Sequence, residues 1–383
     1  MTQVVIVAPL STIDWGSDNA GGVDSVCQQL LQALITTPTP GCQYEVLALK
    51  VGQSSAEYFT RYRLSEQVHV TFVPSKGKIA GVPVPGVIHQ CWQVRKFCRA
   101  HRADVVHSHY WSLLLGVPKH IAKMVTVHSF GKLGRKSVSM LNDLLYERIL
   151  PSLSRHRANK VTCVGEQLRQ CIAQQTGINA EVVANPINPT FFAVNTASVE
   201  KFNTPTLVTC AMIHRKKGIH VAIDIVAKLN QSREVNLCII GPVRDHDYKA
   251  ELDAQIERLG ISTNVQFTGA LSMSEVAQHY AKAHVGLFCS QEETFGLAPL
   301  EMVAAGLNVV STRVGVLAEQ PQLFISAGGA FIDSNDIDAA VQRVSQVLEG
   351  RGSAEPQLIA DAFSAQRVNA QYQQLYKELA GVQ

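Results

Sequence analysis

The chain is predicted to be an α/β protein built of two consecutive doubly wound, Rossmann-like domains. Three observations carry that prediction. Its 383 residues exceed the ~150 expected of one domain. Short β-branched runs alternate with longer helical patterns, the βαβ rhythm of a parallel sheet with helices on both faces. After a proline-rich passage, "ANPINPTFF", the same rhythm starts again.

In the first half the expected strands are 4–8, 44–49, 68–73, 104–108, 124–128, 160–164 and 180–184. Helical patterns fill 22–34, 87–102, 138–156 and 166–175 between them. "ANPINPTFF" is read as irregular. Strands at 206–212, 235–241, 264–269, 285–290 and 308–312 then alternate with helices near 217–230, 247–259, 273–283 and 299–305. The domains are set at 1–190 and 191–365, and a last helix, about 366–383, is free to pack back on the first.

Hydrophobic residues make up 46 % of the chain and charged residues 17 %, a composition that folds rather than one that stays disordered. The formal charge of +3 is too small to argue for nucleic acid. The nine cysteines show no C-x-x-C pair and no zinc spacing, so reduced thiols and a cytoplasmic location are expected. The start "MTQVVIVAPL" lacks the basic region of a signal peptide, and no apolar run approaches the ~18 residues of a membrane span. Membrane contact is expected to be peripheral at most.

Ligands of open α/β sheets bind outside the carboxyl ends of the strands, and the unusual polar residues collect there. The loop after the first strand leads to Gly21-Gly22 and a helix, where backbone N–H groups could face an anion. A Gly-Gly pair alone is ordinarily a turn, and the absence of G-x-G-x-x-G argues against a dinucleotide dehydrogenase. "VVHSHYW" places His107, His109, Tyr110 and Trp111 at one strand end, and "VTVHSFGK" places His128, Ser129 and Lys132 at the next. One histidine would be ordinary packing; three at adjacent strand ends favour a polar site. No third ligand accompanies His107 and His109, so no metal is expected.

In the second half the first strand exits into "IHRKKGIHVAI", setting Arg215, Lys216 and Lys217 at a helix start, an arrangement suited to a diphosphate. The bland reading is that only one of them points inward. The stretch "SQEETFGLAPLE" puts Glu292 and Glu293 on a loop after a buried strand, with Glu301 expected in the first turn of the helix that follows. A glycosidase would need two carboxylates flanking the scissile bond; the cationic loop favours a phosphorylated donor and therefore transfer. The aspartate pairs Asp245/Asp247 and Asp336/Asp338 sit where helices begin and read as caps rather than metal ligands.

Taken together, Glu293-x7-Glu301 enclosing Phe295-Gly296-Leu297, the Lys217-Gly218 helix start, Gly21-Gly22 and His128 resemble the family-four retaining glycosyltransferases of the GT-B fold. The resemblance runs through nearly the whole chain. "HSHYW" and "VTVHSFGK" are most similar to its sucrose-phosphate synthase and mycothiol glycosyltransferase branch. It implies two Rossmann-like domains facing across a cleft, and catalytic roles for His128, Glu293 and Lys217. Glu301 would hold the ribose hydroxyls and Glu293 those of the donor sugar. The N–H groups of Phe295, Gly296 and Leu297 would line sugar and phosphate, Gly21 and Gly22 would approach the diphosphate, and backbone near Ala270 and Leu271 would hold the base. Lys217 would neutralise the leaving phosphate and His128 would contact the reacting sugar. No protein nucleophile, metal or cofactor is implied, since this family is assigned front-face attack. Glu292 falls outside the register.

One departure stands out. The family carries an arginine five residues before the lysine, and that position here is Met212. Arg215 is the expected replacement, with His214 or Lys216 sharing the task. On the acceptor side His109, Tyr110, Ser129 and Lys132, with Lys78, resemble the branch that grips a phosphorylated acceptor, while an uncharged glycan or small molecule stays open. The expected partners are thus a nucleotide sugar, with UDP as carrier, and a hydroxyl acceptor. Two other readings stand beside the transferase: a non-hydrolysing nucleotide-sugar epimerase of the same fold, and an inactive nucleotide-sugar-binding subunit.

Overall fold

The computed structural model describes residues 1–17, 20–52, 56–130, 149–194, 198–350 and 352–381. The chain divides into two compact units, Met1–Pro186 with Ala365–Gln383, and Ile187–Ser364.

In the first unit the order is β1 (Thr2–Leu10), α1 (Gly22–Thr36), β2 (Cys42–Lys50), β3 (Arg61–Arg63), β4 (Val68–Val73), the hairpin β5 (Gly77–Ile79) and β6 (Val82–Val84), α2 (Gly86–Ala100), β7 (Val105–Ser108), β8 (Ala122–Val127), β9 (Lys160–Cys163), α3 (Glu166–Thr176) and β10 (Glu181–Val182). The sheet runs β10-β9-β8-β7-β1-β2-β4-β3, parallel except for β3, which pairs antiparallel with β4. Val4, Val5, Ile6 and Val7 of β1 are all buried, which is why that strand reads as a continuous apolar run rather than an alternating one.

The second unit follows with α4 (Pro189–Phe192), β11 (Thr206–Cys210), α5 (Ile219–Leu229), β12 (Asn236–Ile240), α6 (His246–Arg258), β13 (Val265–Gly269), α7 (Met273–Lys282), β14 (Val285–Phe288), α8 (Leu297–Ala304), β15 (Val309–Thr312), β16 (Gly329–Ile332), α9 (Ile337–Glu349) and α10 (Pro356–Phe363). Its sheet, β13-β12-β11-β14-β15-β16, is parallel throughout. Leu207, Ile239, Val285, Leu287 and Val310 from the strands pack with Ile219, Ile223 and Val226 of α5 into one core. Asp245 and Asp336 cap α6 and α9 through the N–H groups of Tyr248 and Ala339.

The last helix, α11 (Ala365–Leu379), belongs to the first unit and buries Val368, Tyr372, Leu375 and Tyr376, a helical-period face.

Two local expectations are corrected. "ANPINPTFF" contains one helical turn, α4, because Asn188 accepts from Thr190 N at 2.9 Å and Pro189 tolerates the first helical position. Helix α8 begins at Leu297 on a left-handed Gly296 (φ 88°), so Glu301 is its fifth residue and lies beyond the first turn. β3, the β5–β6 hairpin and β16 are short elements that the sequence rhythm does not reveal.

Candidate active site

In the second unit the strand order reverses between β11 and β14, neighbours in the sheet. A doubly wound sheet opens its binding crevice at such a point. The loop after β11 holds a 3₁₀ turn, Arg215–Lys217, and the loop after β14 holds Ser290 to Gly296. Backbone bonds lace the two: Gln291 N donates to Lys216 O at 2.9 Å and Ser290 Oγ to the same oxygen at 3.2 Å. Gly218 makes this approach possible, since its φ is 64° and a Cβ there would stand 2.0 Å from Cys289 O.

Across these loops Lys217 Nζ donates to Glu293 Oε1 at 2.6 Å, and both side chains are largely buried. Among the described residues the N–H groups of Phe295, Gly296 and Leu297 donate to no protein acceptor, while Phe295 O is tied to Val316 N at 2.8 Å. Glu301 lies half-buried one turn into α8, and among the described residues its carboxylate has no hydrogen-bond partner. Burial pushes its pKa up to about 7. A cation, a helix N-terminus with uncommitted donors and two carboxylates therefore converge where an anionic, hydroxyl-bearing ligand would satisfy all of them.

The flanking residues are otherwise engaged. Arg215 makes a 2.5 Å ion pair with Glu251 of α6 and stacks over the Tyr248 ring at 4.9 Å. Lys216 pairs with Glu292 at 2.7 Å, the carboxylate outside the motif register. Met212 is 38 % exposed at the end of β11, and His214 caps the 3₁₀ turn through Lys216 N. Leu271 follows β13 and leads into α7, whose Ser272 and Glu275 form a capping box.

In the first unit the order reverses at β1, flanked by β7 and β2. The ends of β7 and β8 and the N-terminus of α1 line an open cavity of about 390 Å³, with Gly21, His109, Tyr110, Trp111, His128 and Ser129 on its wall. Gly22 is exposed with open space where a Cβ would stand. His109 Nδ1 lies 2.9 Å from His128 Nε2, so one ring N–H donates to the other. Burial holds His128 down to about 4 and drives His109 well below its ordinary value, with His107 and His128 adding repulsion. A neutral pair results, able to hydrogen-bond a hydroxyl.

His107 is placed differently. It is fully interior, with Nδ1 2.7 Å from Tyr376 Oη of α11 and Nε2 2.7 Å from Thr126 Oγ1, contacts worth about 1 kcal/mol each at net. Burial takes its pKa to about 3. Lys132 lies outside the described residues. Lys78 sits on β5, exposed.

Sequence reasoning missed two contributors. Asp24, buried in the first turn of α1, accepts from Ser11 N at 3.0 Å and Ala20 N at 2.8 Å, fixing the loop that enters the cavity wall. Gln28 one turn later accepts from Gly16 N at 3.1 Å. An acid just after Gly21-Gly22, between Val23 and Val26, is the signal that could have found them. Trp111 has no role in the sequence pattern, yet its indole N–H is buried and, among the described residues, has no hydrogen-bond partner against the cavity.

The comparisons with known proteins agree with this layout. The family model for Glycosyltransferase Family 4 matches residues 20–191, and that for Glycosyl transferases group 1 matches residues 191–362. The chain is 25 % identical to a subunit of the human phosphatidylinositol N-acetylglucosaminyltransferase over 80 % of its own length, and spans 62 % of that relative. It is 26 % identical to the D-inositol 3-phosphate glycosyltransferase of Pseudarthrobacter chlorophenolicus, covering 84 % of this chain and 80 % of the relative. The fold matches that of Anabaena HepE, solved with UDP and glucose, at a TM-score of 0.70 and 16 % identity over 99 % of this chain and 100 % of the other. With both halves matched in order and a shared fold, the chain is a glycosyltransferase of the GT-B fold, a Family 4 domain followed by a group 1 domain.

Proposed function

We propose that the protein moves a sugar from a nucleoside diphosphate sugar, with UDP as carrier, to a hydroxyl acceptor, retaining the anomeric configuration and using no metal. The Lys217–Glu293 pair at the strand-order reversal of the second unit is the observation that carries this reading. Lys217 takes the leaving phosphate, Glu293 the donor-sugar hydroxyls and Glu301 the ribose hydroxyls, whose O–H groups would supply the partners its carboxylate lacks among the described residues. The Phe295, Gly296 and Leu297 N–H groups and the loop at Gly21 and Gly22 hold the remaining phosphate and sugar oxygens.

In the reaction the bond between the anomeric carbon and the phosphate oxygen breaks. The acceptor oxygen bonds to that carbon, and its proton passes to the leaving diphosphate. Fixed cations and N–H donors stabilise the departing charge without reorganising, which is the role the proposal gives Lys217 and the α8 N-terminus. His128, neutral through burial, is assigned to the transferred sugar. The cavity with His109, Tyr110 and Ser129 is assigned to the acceptor, and Lys132 to its charge if it is phosphorylated. Arg215 reaches the diphosphate only by leaving Glu251, so donor binding must break that ion pair.

Thermal stabilisation by UDP-, GDP- and ADP-sugars, followed by UDP release with phosphorylated and unphosphorylated acceptors, tests the reading. Stabilisation by a UDP-sugar with acceptor-dependent release supports it. Binding without release under any acceptor would make the chain a binding protein only, and interconversion of the sugar without acceptor would make it an epimerase.

A further inference from the structure

We infer that the β5–β6 hairpin and the outer face of α2 form a docking surface for an anionic phospholipid bilayer. The inference stands apart from the proposed reaction, and shares with the acceptor candidates of the sequence only Lys78.

Between Gln67 and Ala103 the sequence holds no aspartate or glutamate, but six cations: Lys76, Lys78, Arg95, Lys96, Arg99 and Arg102. The whole chain has an excess of only +3, so the rest of the chain is net acidic and the positive charge is concentrated here. None of the six takes part in an ion pair among the described residues, and all are exposed.

Helical geometry sorts α2 into two faces. Val87, Val94, Phe97 and Cys98 point to the core. Ile88, Trp92, Arg95 and Arg99 follow one another at i, i+4, i+7 and i+11, a single stripe on the opposite side. A solvent-facing stripe would ordinarily be polar at each of these positions. Here Ile88 is 50 % and Trp92 38 % exposed, and Lys96 lies over the Trp92 ring at 5.5 Å. The hairpin extends the same surface. It packs on α2 so closely that a Cβ on Gly77 would meet the His89 ring at 2.5 Å, and it presents Val82, 62 % exposed, beside Lys76 and Lys78.

Apolar and indole side chains within a ring of unpaired cations, without a compensating carboxylate, suit the headgroup boundary of an anionic bilayer. Ile88, Trp92 and Val82 would enter the acyl edge while the lysines and arginines stay at the phosphates. No helix among the described residues is long and apolar enough to cross a membrane, so this contact lies on the surface. A nucleic-acid groove would use the cations and leave the exposed isoleucine and valine without a role.

The test is co-sedimentation of the full chain with vesicles of phosphatidylcholine alone or mixed with phosphatidylglycerol, at low and high salt. The expected result is binding to the anionic vesicles, weakened by salt, with a blue shift of Trp92 emission that Trp92→Phe removes. Neutralising Arg95, Lys96 and Arg99 together to Gln should weaken binding on the order of 100-fold. Ile88→Ser with Trp92→Ser should abolish retention at high salt. Both variants change exposed side chains only, and their melting temperatures check the fold. Equal binding to neutral vesicles, unchanged binding by the triple variant, no binding by the folded wild type, or tighter binding to duplex DNA than to anionic vesicles would each overturn the inference.

Discussion

Lys217 and Glu293 are separated by 76 positions in sequence, and their charged atoms meet at 2.6 Å. The pair joins the loops after two adjacent parallel strands and neutralises each partner in a largely buried setting. Ligand binding must divide it, with phosphate taking the ammonium and sugar hydroxyls taking the carboxylate. Lys217→Met should therefore raise the donor KM and lower kcat, with kcat/KM reduced ~10²–10³-fold, as for loss of one fixed donor to a developing anion. Steady-state kinetics with the best donor reads this, and an unchanged kcat/KM would remove Lys217 from the phosphate site.

The same loops depend on Gly218. An alanine there meets Cys289 O at 2.0 Å in a left-handed backbone, so the loop must shift. Gly218→Ala is predicted to cost about 1–3 kcal/mol in denaturant unfolding and to weaken UDP binding in parallel. Wild-type stability and affinity would show that the close approach is dispensable.

Glu301 gives a pH signature with a defined sign. Its pKa in the fold, about 7, lies above the ordinary 4.5, so the native state holds more protons than the unfolded chain between those values. Stability from this group is full below pH 4.5, falls as pH rises towards 7 and levels off above it. Glu301→Gln should remove that loss, leaving the variant more stable than wild type above pH 7 while binding UDP more weakly. UDP binding by the wild type should tighten as pH rises through about 7, where the carboxylate becomes a full acceptor. Parallel stability curves for the two proteins would refute the burial.

The histidines work in the opposite sense. His107 and His128, held to about 3 and about 4, bind fewer protons folded than unfolded. Their contribution is full above the ordinary 6.5 and is lost as pH falls below it. The double variant His107→Gln, His128→Asn should show a shallower loss of stability in acid. Melting temperature against pH measures the slope, and an unchanged slope would mean that other groups set it.

Much of this was legible in the sequence because burial on both faces of a parallel sheet writes long apolar runs, and turns write glycine and proline. The strands flanking both points of strand-order reversal could be read that way, whereas the pairing of Glu293 and Glu301 rests on the resemblance to the glycosyltransferase motif. β16 could not: "GAFI" is half-buried and preceded by Gly328, so neither run length nor alternation marks it. α8 starts at Leu297 rather than at the expected 299, because the left-handed Gly296 sets its boundary. Partners distant in sequence were invisible altogether. Nothing near Arg215 announces Glu251, and nothing near His107 announces Tyr376, which lies 269 positions later and decides that this histidine is core while His109 faces the cavity.

The central claim is that Glu293 and Glu301 hold different parts of one donor. Calorimetric UDP binding and UDP release, measured together on Glu293→Ala and Glu301→Ala, test it most directly. Glu293→Ala is expected to bind UDP and transfer nothing, and Glu301→Ala to lose UDP affinity. Equal loss of UDP affinity in both variants, or full transfer by Glu293→Ala, would contradict it.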